Sequence, residues 1–201
     1  MSRRLALLAG ALLQAGALRA SFQRPRLFWP LMTGALLGSG ALAVEARRRP
    51  TLRREPGWLA GGVAAGAGAY GVTVVAAALL DRFPRGGNWV QQVRSCVGSR
   101  RLWLRAILVI PAAIGEELFW RDAVLVGGGP GPLRVVSEIS AYAAVQAASG
   151  NPAAVAGGVL LGSVASLLRA RSGSLGPALT AHLVYSELTL VWPGLPAAPG
   201  V

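Results

Sequence analysis

The stretch LWLRAILVIPAAIGEELFWRDAVLVG, Leu102 to Gly127, decides how this chain is read. It is long enough to span a bilayer, which takes about 20 predominantly apolar residues. Yet Glu116 and Glu117 stand side by side within it, and Arg121 follows one helical turn after Glu117. An isolated charge at the centre of a spanning helix costs at least ~2.5 kcal/mol. Two carboxylates at that depth must therefore be paired, protonated or catalytic. Glu117 and Arg121 are four apart, so on a helix they share a face and can pair. Glu116 is turned by about 100° and can address a different partner. Arg121 can then anchor Glu117 as an ion while Glu116 takes a proton from water.

Composition supports a membrane protein around that stretch. The 201 residues are 53% hydrophobic and 14% charged, against about 25% charged in a soluble domain, and the mean hydropathy is +0.51. All twenty basic residues are arginine, which fits a GC-rich genome and excludes mechanisms that need an amine, such as a Ser-Lys dyad or a Schiff base. The net charge of +12 sits mostly in short segments between apolar runs. There it reads as positive flanks set against anionic lipid rather than as a nucleic-acid surface. Cys96 is alone, so there is no disulfide framework.

Along the chain, Leu5 to Leu18 is a short apolar run between Arg3-Arg4 and Arg19. It imitates a secretory signal peptide, but it reads better as an interfacial segment or as a hairpin with the next span. Leu27 to Val44 is the first convincing span, followed by Arg47-Arg48-Arg49. Gly57 to Leu80 is the second, rich in Gly and Ala, which permit close helix contact in lipid. Asp81 to Arg101 is polar and interrupts the pattern. Leu102 to Gly127 is the third span, closed by a turn over Gly127 to Pro132; Leu133 to Ser149, Ala153 to Leu168 and Leu175 to Val191 follow. The expected fold is all-α: a polytopic bundle of about six transmembrane helices plus a short N-terminal apolar helix. Its segments are 1–26, an N-terminal apolar piece; 27–101, accessory helices and a polar loop; 102–192, a core; and 193–201, a tail. Arg residues fall on both sides of the stack, so the positive-inside rule sets no orientation.

Other polar residues sit inside apolar helices. His182, the only histidine, has Ser186 one turn further on the same face, and both can donate to an oxyanion. Tyr142 and Gln146 are again four apart, a spacing that also suits a helix-helix hydrogen bond worth about 0.6 kcal/mol. The helices bearing Glu116, Gln146 and His182 are expected to converge on one polar cavity, because each group would be unsatisfied against lipid.

Glu116-Glu117-x-x-x-Arg121, Tyr142-x-x-x-Gln146, Asn151-Pro152, Ser172-Gly173-Ser174-Leu175 and Ala181-His182-x-x-x-Ser186, in this order, resemble the CAAX protease and bacteriocin-processing (CPBP, or Abi) family. The resemblance covers about Leu102 to Val191. It implies a glutamate-type intramembrane endopeptidase of a bacterial inner (cytoplasmic) membrane, acting on a peptide or membrane-protein substrate, without cofactor, metal or nucleic-acid partner. Carried over by position, Glu116 is the water-activating carboxylate, Glu117 with Arg121 its support, and His182 the oxyanion donor. Two positions depart from the family pattern: Gln146 stands where the family has a His, and Ser186 where it has Asn or Asp. Gln146 can orient a water but cannot accept its proton. The alternatives are a weakly active or inactive binding or immunity protein built on the same groove, and a rhomboid-like serine protease using Ser149 and His182. Zinc proteases fit poorly, since one His cannot build the usual nitrogen ligand set. Aspartyl proteases fit no better, because the only aspartates, Asp81 and Asp122, stand at expected helix ends.

Overall fold

The structure is a computed structural model and describes residues 2–46, 56–126 and 131–190. The expected Arg47-Arg48-Arg49 flank, most of the Gly127 to Pro132 turn, Val191 and the 193–201 tail lie outside the described residues. Among those described, the chain is helical throughout: α1 Arg3–Gln23, α2 Phe28–Ala46, α3 Pro56–Leu80, α4 Pro84–Val97, α5 Leu102–Glu117 with a π-helical continuation Leu118–Leu125, α6 Pro132–Ala147, α7 Pro152–Ser172 and α8 Leu175–Leu190. Large apolar side chains point outward, as at Leu5, Leu8 and Leu12 of α1 and Val72 and Val75 of α3, whereas Gln14, Arg105, Glu117 and Arg121 are buried. This inside-out arrangement is that of a bundle solvated by lipid. Four described helices are long and apolar enough to cross a membrane by themselves: α1, α2 with the 3₁₀ turn before it, α3 and α7.

Two expectations need correction. The N-terminal apolar segment is not short: its helix runs 21 residues, because Ser2 caps its start through Leu5 N–H and the helix continues past Arg19 to Gln23. It forms the hairpin with α2 and is tied into the interior. Gln14 donates to Ser39 of α2 at 2.7 Å and accepts from the Trp120 indole at 2.8 Å. Arg3 reaches the Ala123 carbonyl at 2.9 Å. The polar stretch after α3 is likewise no loop. Pro84 starts α4, an amphipathic helix whose buried face carries Val90 and Cys96. Asn151 then joins this helix to α7. Its side-chain Oδ1 caps α7 by accepting from Ala154 N–H at 3.0 Å, and its side-chain amide NH2 donates to Trp89 O at 3.0 Å and to Gln92 Oε1 at 2.8 Å.

Glycines decide where helices cross. A Cβ on Gly40 of α2 would lie 2.7 Å from the Gly115 Cα of α5, and one on Gly115 would collide with the Leu36 carbonyl. On α3, a Cβ at Gly62 would lie 2.6 Å from the Pro177 carbonyl of α8, and one at Gly66 would collide with the Ala181 carbonyl. Backbone therefore meets backbone next to Glu116 and next to His182, which is how small residues drive packing when lipid supplies no hydrophobic force. Gly68, on the same helix, has open space at its Cβ position. Gly66→Ala should lower stability by about 1–3 kcal/mol, the usual cost of overpacking. Gly68→Ala should leave the melting temperature unchanged or raise it. Thermal unfolding of both variants in detergent checks the contrast.

Candidate active site

The carboxylates of α5 gather around one guanidinium. Arg121 Nη1 stands 3.4 Å from Glu117 Oε1 and 3.8 Å from Glu116 Oε1, while Nε stands 3.7 Å from Glu138 Oε1 of α6. The expected Glu117–Arg121 pair is present at i,i+4. The additional reach to Glu116, five residues back, comes where the helix widens. Leu118–Leu125 is π-helical, a geometry that closes i→i+5 bonds and is frequent at functional sites. The guanidinium carbon also lies 4.8 Å from the centroid of the Tyr142 ring, in cation-π distance.

Each carboxylate has its own further partner. Glu117 is fully buried, and its Oε1 lies 2.8 Å from His182 Nδ1 of α8. Supporting Glu117 is thus shared between Arg121 and His182. With Nδ1 engaged, Nε2 is the ring nitrogen left for other work. Glu116 accepts from the Tyr142 hydroxyl at 2.6 Å. The hydrogen bond expected of Tyr142 between helices therefore has the candidate base itself as its acceptor. The second oxygen of Glu138 meets the Ser166 hydroxyl of α7.

Glu116, Tyr142 and His182 of this cluster border a cavity of about 450 Å³ to which all eight described helices contribute. Glu116, Tyr142, Gln146, His182 and Ser186 all line it, so the three helices converge as expected. The expectation of a polar cavity needs amendment, because most of the lining residues are apolar. The remaining wall is apolar and runs past Phe22, Trp29, Met32 and Leu80. Tyr185, whose hydroxyl lies 3.2 Å from that of Thr73, also borders it.

α6 and α7 fit together in antiparallel register. Glu138, Tyr142 and Gln146, spaced by four, lie against Ser166, Gly162 and Gly158. A Cβ at Gly158 would come within 2.8 Å of the Gln146 side chain, and one at Gly162 within 2.7 Å of the Tyr142 ring and 3.0 Å of Arg121 Nη2. The glycines make the room in which the polar side chains stand. Glu138 and Ser166 went unnoticed in the sequence, although the four-residue polar stripe in an apolar helix was the signal that could have found them.

Asp122 and Ser149 serve other ends. Asp122 is not at a helix end but buried within the π-helical segment, paired with Arg169 of α7 at 3.2 Å. Ser149 belongs to the turn after α6, where its hydroxyl accepts from Asn151 N–H at 3.1 Å, and it does not border the cavity. That position gives the serine-protease reading no support. Glu116, Glu117 and His182 bring ligand-type atoms within 4.8 Å of one another. The guanidinium of Arg121 already lies against both carboxylates, and the imidazole already engages Glu117, so a metal ion would have to displace existing partners.

Searches of the curated proteins and of the solved structures each give no match. A scan against protein-family models does: residues 98–187 match the family described as Rce1-like, type II CAAX prenyl endopeptidase Rce1-like. The matched region runs from the end of α4 into α8 and holds every residue of the carboxylate cluster. Through these residues the chain is similar to the type II CAAX prenyl endopeptidase Rce1-like family, which supports the resemblance to the CAAX protease family.

Proposed function

We propose that the protein is a glutamate-type intramembrane endopeptidase of the cell (inner, cytoplasmic) membrane in which Glu116 activates the attacking water. The observation that carries this reading is the position of Glu116: it borders the cavity with Gln146, His182 and Ser186, and its carboxylate is oriented by the Tyr142 hydroxyl. The Glu116 carboxylate takes one proton from a water as the water oxygen attacks the scissile carbonyl carbon. Gln146, whose amide can both donate and accept but cannot take a proton, holds that water. The carbonyl oxygen becomes an oxyanion. His182, steadied at Nδ1 by Glu117, donates from a protonated Nε2, and the Ser186 hydroxyl adds a second donor. When the tetrahedral intermediate collapses, the carbon-nitrogen bond breaks and Glu116 passes its proton to the leaving amine. The apolar wall suits a substrate with a long apolar group, and the family description names CAAX prenyl substrates. Residues 102–192 would be the catalytic core under this reading, with 27–101 as accessory helices.

The substitution of Gln146 for a histidine favours one second reading, a protein that binds its substrate in the same cavity and turns it over slowly or not at all. Reconstituted protein and a fluorogenic prenylated CAAX peptide separate the two. Glu116→Gln should abolish cleavage while the protein still inserts, since proton transfer by a positioned side chain is typically worth about 10²–10⁴-fold. Parental cleavage by Glu116→Gln would end the glutamate-protease reading. Gln146→His should raise turnover and add a pH dependence between about 5 and 8, where an imidazole titrates. No cleavage by either the parent or Gln146→His would favour the binding protein.

A further inference from the structure

Glu138 is a buried carboxylate to which the reaction above gives no task. It is 2% exposed and projects from α6 one turn before Tyr142. Its Oε2 meets the Ser166 hydroxyl, while Oε1 makes no hydrogen bond and stands 3.7 Å from Arg121 Nε. A guanidinium is a rigid planar fork, so what holds one edge fixes the other. The Nε edge of Arg121 faces Glu138, and Nη1 faces Glu117 and Glu116 at 3.4 and 3.8 Å. Nη1 is too far from Glu116 for a hydrogen bond, and it has no hydrogen-bond partner at all. Of the three carboxylates, Glu138 is the one that draws Arg121 away from the other two.

Released from Glu138, the fork could advance on Glu116 and close the short paired geometry that Arg and carboxylate favour. A carboxylate bound in that way is a poor acceptor for a proton from water. We propose that Glu138, braced by Ser166, is a positioning residue that holds Arg121 back from Glu116 and so keeps the water-activating carboxylate free. This role rests on the endopeptidase reading and acts through Arg121 alone. Glu138 borders no part of the substrate cavity.

The test uses the full chain in liposomes with the same fluorogenic prenylated CAAX peptide, reading kcat and KM separately. Glu138→Gln should lower kcat by about 10²-fold, the loss typical of a misplaced catalytic group, and leave KM within about twofold, since an interaction realised only in the transition state moves kcat alone. Glu138→Asp should recover most of the loss, and Ser166→Ala should show a smaller loss of the same kind. If Glu138→Gln fails to fold, Ser166→Ala carries the same comparison. Parental kcat in Glu138→Gln, with Glu116→Gln inactive, would overturn this inference and leave the endopeptidase reading standing. Full cleavage by Glu116→Gln would overturn that reading instead. Thermal unfolding of Glu138→Gln, Arg121→Gln and the double variant needs no turnover. The double variant should be no less stable than Arg121→Gln, because groups acting as a unit are not additive; additive losses would refute the coupling.

Discussion

One guanidinium stands against three carboxylates in the interior of a lipid-solvated bundle, and much of the structure is arranged around that imbalance. Removing one partner of a buried ion pair costs on the order of 3–5 kcal/mol, because the other charge is left uncompensated. Arg121 cannot satisfy Glu116, Glu117 and Glu138 together at hydrogen-bond distance, and each acid is therefore given a second partner: Tyr142, His182 and Ser166 respectively. Those partners come from α6, α8 and α7. The cluster ties four helices together with polar contacts while lipid-facing positions do nothing to set their order. The glycine crossings at Gly40–Gly115 and Gly66–Ala181 then fix how closely the backbones carrying Glu116 and His182 approach their neighbours.

How much of this was legible in the sequence follows from what each feature depends on. Glu116, Glu117 and Arg121 were conspicuous because charge in an apolar run is costly, and His182 because it is the chain's single imidazole. The gathering of Glu116, Gln146 and His182 on one cavity followed from the same energetic argument. Glu138 was missed because it stands near the start of α6, among Arg134 and Ser137, where a carboxylate reads as a solvated helix end. Only the fit of α6 against α7 shows that its stripe faces inward. Asp122 reads from the sequence as a helix-end residue for a related reason: its burial depends on Arg169, 47 residues away. The length of α1 and the helicity of Pro84–Val97 escaped because hydropathy reports apolar content. α1 continues through polar residues, and α4 has only a narrow apolar face.

The cavity separates two kinds of chemistry that would otherwise interfere. Its polar side is supplied by α5, α6 and α8, and its long apolar wall by α1 to α4. Under the proposed reaction, water beside Glu116 would lie next to Gln146 and His182, and an apolar group along Trp29 and Met32 would displace only poorly held water. Cys96, which also lines the cavity, is fully buried. Burial pushes its thiol up to about 12, so this part of the wall behaves as hydrocarbon rather than as a nucleophile.

The widened segment Leu118–Leu125 has a consequence for how the helix is phased. A π-helical stretch amounts to a residue inserted into an α-helix, accommodated without breaking the rod. Arg121 faces both Glu116 and Glu117 where that extra residue is absorbed, and Asp122 meets Arg169 in the same stretch. Tightening of that stretch to α with the chain length unchanged would turn everything beyond it by about 100° relative to the glutamates. Arginine and aspartate would swing toward hydrocarbon together, with composition and hydropathy unchanged. The segment therefore acts as a phase setting between two halves of one helix, and its wider hydrogen-bond spacing keeps Arg121 facing both glutamates.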